Sequence, residues 1–311
     1  MFYHVRRFIN QANQTWLGLN CRSAILELPP IRTNTERLTV VTMLCARDIL
    51  MYLIAIKSFC FRLGKVPQIV VVNDGSLRTG DCNMLEQQIP TIRFVHINDV
   101  STAECPKRGC WERLLLVTDL VENSYVLQID SDTLTLGNIE EVSTAIEGQR
   151  CFTLLGDTSH YDIGPMLSAC ARAKSRQGGM VQNICERRFD ELPESSSLKY
   201  VRGSAGFTGF SQGSINREKV IWLSDLMRRI AKEKWDEWGS EQVASNLLIA
   251  NSEEATALPF PKYLCHWARL DTPYEKSSFI HFVGTHRYAK GFYMKMIKHV
   301  ANDIIRHTRK Q

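Results

Sequence analysis

Between residues 38 and 129, short β-branched runs alternate with helical segments, and that alternation leaves few architectures open. Leu38–Cys45 reads as a buried strand and Asp48–Gly64 as a helix with Gly64 near its C-cap. Gln68–Val72 is a second strand, closed by Asn73-Asp74-Gly75-Ser76. A helix through Met84–Gln88, a strand at Ile92–Ile97, a helix through Trp111–Val121 and a strand at Tyr125–Ile129 follow. Strands that alternate with helices build βαβ units, so the expectation is an α/β chain whose mostly parallel, Rossmann-like sheet is flanked by helices. Ligands of such sheets gather beyond the carboxyl ends of the strands. Asp130-Ser131-Asp132 stands at that place, directly after the Tyr125–Ile129 run.

Two carboxylates at i and i+2, where a buried strand runs out, can face one small volume. That suits a hard divalent cation whose remaining ligands are substrate phosphate oxygens. The alternative at this level is a capped strand end with two solvated acids. The rest of the composition narrows the partner. A net charge of +5 over 311 residues is mild and dispersed; it suits anionic phosphates but argues for no nucleic-acid partner. No RNP-like aromatic motif or zinc-finger spacing occurs.

Ten cysteines without a single C-x-x-C point to a reducing compartment. The N-terminus lacks a continuous apolar h-region. The longest apolar stretch is interrupted by Arg47-Asp48, so it reads as a strand followed by a helix rather than a membrane span. A cytoplasmic protein is the expectation. Residues 1–36 have weak periodicity and form an N-terminal extension; 37–293 form a single domain, in which 158–199 are a polar, partly helical insertion. Residues 294–311 form a basic helix. Met294, Ile297, Ala301 and Ile304 share one face of it, with Lys295, Lys298, Arg306 and Arg309 mainly elsewhere. That face packs on the domain or meets the inner face of a membrane peripherally.

Four further pieces stand in order with the D-x-D: Arg113 in ERLLL, Ser204-Ala205-Gly206, Glu241-Gln242 followed by Asn246, and His281-x-x-Gly284-x-x-Arg287. Together they resemble the retaining glycosyltransferases of the GT-A fold, family 8, the group of glycogenin and the bacterial galactosyltransferases. The resemblance runs from about residue 38 to 293. It implies that Asp130, Asp132 and His281 hold Mn²⁺ or Mg²⁺, a histidine ligand favouring Mn²⁺. It implies that Arg113 reaches the donor's sugar and phosphates, and that Ser204, Ala205 and Gly206 lie against the donor sugar. Gly284 lets the backbone approach the diphosphate and Arg287 pairs with it. Glu241 would hold sugar hydroxyls, and Gln242 would lie on the β-face of the anomeric carbon.

The chain departs from the family pattern at Ser204 (for Asn), Glu241 (for Asp), Arg287 (for Lys) and Tyr288-Ala289 (for Pro-Trp). Glu241 and Ser240 also fit a plain helix start, with Ser240 as N-cap. Asp74 fits either a contact to the donor's base or ribose, or a turn. The implied reaction moves a hexosyl group from a nucleoside-diphosphate sugar, UDP above all, to a saccharide, glycolipid or protein, with retention. Two other readings stay open: a degenerate nucleotide-sugar-binding protein, and a nucleotidyltransferase of similar architecture. A haloacid-dehalogenase phosphatase fits poorly, because Leu134 breaks its motif and the Asp pair comes after several strands.

Overall fold

The computed structural model describes residues 2–156, 162–267, 274–288 and 291–308, and only the backbone of residues 2–11 and Thr285. Residues 158–161 of the insertion, Ala289 and Arg309 lie outside the described residues.

The chain opens with helix α1 (Phe2–Leu26), then β1 (Leu38–Leu44), α2 (Ile49–Leu63), β2 (Gln68–Asn73), α3 (Thr79–Gln88), β3 (Arg93–His96), α4 (Trp111–Leu120) and β4 (Tyr125–Ile129). β5 (Thr133–Thr135), α5 (Glu140–Glu147) and β6 (Phe152–Leu155) follow the D-x-D. The insertion carries β7 (Gly164–Pro165), α6 (Met166–Ala173), α7 (Val181–Arg187) and β8 (Lys199–Tyr200). β9 (Gly203–Phe210), α8 (Arg217–Ala231), α9 (Ser240–Ala250), β10 (Thr256–Ala257), β11 (Tyr263–Cys265), β12 (Phe279–His281) and α10 (Phe292–Thr308) complete it.

Seven strands form one sheet in the order β10-β6-β9-β4-β1-β2-β3. Every pairing is parallel except the two made by β9, which runs against β4 and β6. Successive side chains of a strand face opposite sides, and here each side has its own helical layer. Val40, Ile69, Val71 and Leu127 pack with α1, α2 and α10. Val41, Val70, Val72 and Val126 pack with α4, α7, α8 and α9. Burial on both faces is why β1, β2 and β4 read as continuous apolar runs rather than as alternating ones. Gly64 ends α2 in the left-handed region at φ 70°, its N–H donating to Cys60 O at 3.0 Å.

A second sheet of three strands, β11-β12-β5, stands beside the first. β12 runs antiparallel to β5 with His281 opposite Thr133, and Phe282 N donates to Asp132 O at 2.8 Å. This small sheet places a residue far along the chain next to the D-x-D.

The main difference from the sequence reading is at the N-terminus, where the weakly periodic extension is mostly helix. Leu17, Cys21 and Ile25 repeat every four residues and are buried against the domain. The pattern is weak because Trp16 and Leu19, 48% and 80% exposed, put apolar side chains on the outer face. α10 packs on the domain: Met294, Ile297, Val300, Ala301 and Ile304 are buried, and Arg62 of α2 pairs with Asp303.

His266, just after β11, ties α10 to the small sheet. It stacks on Phe292 with ring centroids 5.7 Å apart, and its Nδ1 lies 2.5 Å from Tyr274 Oη. Burial pushes its pKa down to about 4. The unfolded chain therefore binds more protons between about 6.5 and 4, and stability present above that window is lost as pH falls through it. Acid titration of the thermal midpoint should show this loss, on the order of 2 kcal/mol. His266→Phe should flatten the curve between those pH values; an unchanged slope would remove His266 as the cause.

Candidate active site

Six elements converge at the carboxyl edge of the large sheet. β4 delivers Asp130, whose N–H donates to Gly206 O at 2.8 Å on the neighbouring β9. Asp132 stands directly before β5, β12 carries His281, α4 carries Arg113, α9 carries Glu241, and the turn after β12 carries Arg287. Among the described residues, Asp130, Asp132 and His281 each offer a ligand atom, all within 4.8 Å of one another. His281 Nε2 is 3.2 Å from Asp132 and 3.6 Å from Asp130. Two carboxylates and an imidazole nitrogen suit a Mn²⁺-type cation better than a purely oxygen-loving one. Asp132 is the buried member, with 7% of its side chain exposed against 32% for Asp130, so the cluster opens on the Asp130 side.

The packing around His281 leaves it one position. Its Nδ1 lies 3.1 Å from Ser204 Oγ, which also accepts from Gly206 N at 3.4 Å. A Cβ on Gly206 would overlap His281 Cε1 and stand 2.6 Å from Nδ1. The requirement for glycine here is set by the histidine ring.

Each D-x-D carboxylate is held by its own arginine. Arg113, with 2% of its side chain exposed, pairs with Asp130 and reaches Glu241 at 3.4 Å and Ala205 O at 3.4 Å. Arg287 Nη2 meets Asp132 at 2.7 Å, its Nη1 is 3.9 Å from Asp48, and its Nε donates to Gly284 O at 3.1 Å. Gly284 sits at φ 51°, a conformation that favours glycine. Burial would raise the Asp132 carboxyl, but Arg287 and His281 hold it below its ordinary value. Burial would lower His281, yet the Asp132 carboxylate holds its pKa well above 6.5. Burial pushes Glu241 up to about 7, against the pull of Arg113.

The remaining expected residues divide. Ser204 turns its hydroxyl to His281, and Ala205 uses its carbonyl on Arg113. Gln242 follows Glu241 at the start of α9 and ties it to the insertion, its Nε2 donating to Gln182 of α7 at 3.1 Å. Asp74 is at the same rim but closes a turn, accepting from Ser76 N at 2.9 Å. Ser240 is not the N-cap. Gly239 holds that place at φ 99°, while Ser240 Oγ accepts from Trp111 Nε1 at 2.9 Å and ties the starts of α4 and α9 together. Asp48, which sequence reasoning missed, is buried at the end of the first strand and accepts from Gln14 of α1 at 3.1 Å. Its only signal was its place in the turn after β1, the rim where this fold gathers ligands.

Compared by sequence, the chain matches no protein-family model and no curated protein. Compared by structure, it is similar to the bifunctional glycosyltransferase WbbM, with TM-score 0.58 and 16% identity over 89% of this chain and 53% of that one. It is also similar to an active-site mutant of LgtC, with TM-score 0.54 and 13% identity over 85% and 95%. GlyE of Streptococcus pneumoniae TIGR4 matches with TM-score 0.50 and 14% identity over 88% and 64%. The chain thus spans only about half (53%) of WbbM. At these identities the likeness establishes the fold: the mixed, mostly parallel sheet flanked by helices is the GT-A arrangement of these glycosyltransferases, as the motif resemblance implies.

Groups that orient a ligating histidine commonly change metal affinity by about 10- to 100-fold when removed. Ser204→Ala should weaken Mn²⁺ binding by that amount in calorimetry, with the melting temperature nearly kept. Gly206→Ala should abolish the binding, because the ring and the methyl group cannot share the space. Wild-type affinity in either variant would overturn this account of His281.

Proposed function

We propose that the chain is a metal-dependent glycosyltransferase that moves a hexosyl group from a nucleoside-diphosphate sugar, with UDP the first candidate, to a saccharide, glycolipid or protein acceptor. The observation that carries this is the convergence of Asp130, Asp132 and His281 with Arg113 and Arg287 at one sheet edge. Three ligand groups for a cation beside two guanidiniums form a receptor for a metal-bound diphosphate. Asp130, Asp132 and His281 would hold a divalent cation, which would supply neutralisation of the negative charge on the diphosphate. Mn²⁺ suits the histidine better than Mg²⁺.

The chain's own residues do the rest. With the carboxylates engaged, Arg113 and Arg287 are free to donate to phosphate oxygens, where charge increases during bond breaking. Glu241 holds sugar hydroxyls from beside Arg113. Gln242 is a poor nucleophile, so retention follows a front-face path. The bond from the anomeric carbon to the diphosphate oxygen breaks, the acceptor oxygen bonds on the same face, and the acceptor's proton passes to the departing phosphate. Asp74 is proposed at the base or ribose.

The ten cysteines are all free, which fits the cytoplasm. Among the described residues no helix is long and apolar enough to cross a membrane. The apolar face of α10 is buried in the domain, so contact with an anionic membrane surface would fall to its outward Lys295, Lys298 and Arg306.

Purified protein with Mn²⁺ and a panel of UDP- and GDP-sugars should release nucleoside diphosphate from one donor. Asp132→Ala should lower that release by about 100-fold or more, in line with loss of a principal electrostatic group. Release that is insensitive to chelation and to the substitution would count against the reading, as would the absence of both release and donor binding.

A further inference from the structure

We infer that Gln182, Tyr200 and Glu186 are positioning residues that fix which end of the Gln242 amide faces the reacting sugar; the inference rests on the function proposed above. The four side chains form one chain of hydrogen bonds from the insertion to the start of α9. Gln242 Nε2 lies 3.1 Å from Gln182 Oε1, Gln182 Nε2 lies 3.1 Å from Tyr200 Oη, and Tyr200 Oη lies 2.8 Å from Glu186 Oε1. The other Glu186 oxygen receives Arg176 Nη1 at 2.9 Å and Arg202 Nη1. Gln182, Glu186 and Tyr200 are buried, while Gln242 is half-buried beside Glu241.

The direction of the chain follows from its far end. A carboxylate between two guanidiniums only accepts hydrogen bonds. Tyr200 therefore donates its proton to Glu186 and is left with lone pairs, so the group facing it must be the NH₂ of Gln182. The carbonyl of Gln182 then faces Gln242, and Gln242 can meet it only with NH₂. The carbonyl oxygen of Gln242 is the end the relay leaves unused, and on the function proposed above it is the end that faces the sugar. An amide's two ends are nearly identical in shape and opposite in charge. Its orientation is decided by the network rather than by packing.

That polarity matters for glycosyl transfer. Positive charge grows on the anomeric carbon as its bond to the diphosphate lengthens. A carbonyl oxygen near that carbon stabilises the charge, whereas an NH₂ group in its place opposes it. Because the gain grows with the charge, loss of the relay should lower kcat more than donor affinity. The relay also gives the insertion a role: α7 and β8 connect to the start of α9 through these side chains.

The test compares Gln182→Met, which removes the relay at similar volume, with Gln182→Lys, which offers Gln242 only donors and so turns its carbonyl inward. Tyr200→Phe breaks the chain one step further out and serves if the lysine variant does not fold. Donor Kd and melting temperature are measured beside kcat for nucleoside diphosphate release. The expected result is a fall in kcat of about 10-fold for the methionine variant and a larger fall for lysine, with Kd within about twofold. Unchanged kcat in an active protein, or parallel loss of kcat and donor affinity, would overturn the relay alone. A wild-type chain that cleaves no donor would overturn the function, and this assignment with it.

Discussion

The arrangement of the site depends on a buried charge cluster in which no member is left alone. Arg113 lies between Asp130 and Glu241, and Arg287 lies between Asp132 and Asp48. Removing one partner of a buried pair typically costs about 3–5 kcal/mol, because the other charge is left without water or counter-charge. The cluster draws on α4, β4, α9 and the turn after β12, so it forms only when both sheets are complete. The backbone bonds from Asp130 N to Gly206 O and from Phe282 N to Asp132 O make the same connection in the main chain. The site's geometry and the closure of the small sheet against the large one are thus one structural event.

Self-neutralisation has a chemical consequence on the proposed reading. Without a ligand, each D-x-D carboxylate already has a cation. On that reading, a divalent cation held by Asp130, Asp132 and His281 would be a replacement counter-charge for the carboxylates, and the diphosphate would offer Arg113 and Arg287 new acceptors. The metal and the diphosphate each resolve the imbalance that the other creates, which favours their binding together.

Much of this was legible because strands buried on both faces must be continuously apolar, as β1, β2 and β4 are. The D-x-D stood out because it ends such a run. His281 was legible through its spacing to Gly284 and Arg287. Two kinds of information were not. The first is partnership between side chains distant in sequence: Ser204 as the support of His281, or Asp48 as a second counter-charge for Arg287, depends on which strands become neighbours. The second is polarity, since nothing local says which way the amide of Gln242 turns when Glu186 decides it through two other residues. α1 was hidden for a simpler reason. Its buried stripe of Leu17, Cys21 and Ile25 is diluted by exposed Trp16 and Leu19, and no local pattern separates the two faces.

Arginine at position 287, where the resembled family has lysine, follows from the neighbours it must satisfy. Its guanidinium works in different directions: it donates to Asp132 at 2.7 Å and to Gly284 O at 3.1 Å, its Nη1 meets Met51 Sδ at 3.9 Å, and Asp48, also 3.9 Å away, balances its charge. A lysine ends in a single nitrogen and cannot span acceptors set around a planar fork. Asp48 is itself held by Gln14 and by the Cys45 thiol at 3.1 Å, so it is a fixed wall and not a mobile counter-ion. On the proposed function, a phosphate oxygen would take the place of Asp132 on Nη2 while Nε, bonded to Gly284 O, keeps the plane of the fork. A cation that moved its whole charge with a flexible stem would lose that orientation. Asp48 and Arg287 therefore work as one unit, and α1, through Gln14, belongs to the site's supporting frame as well as to the core.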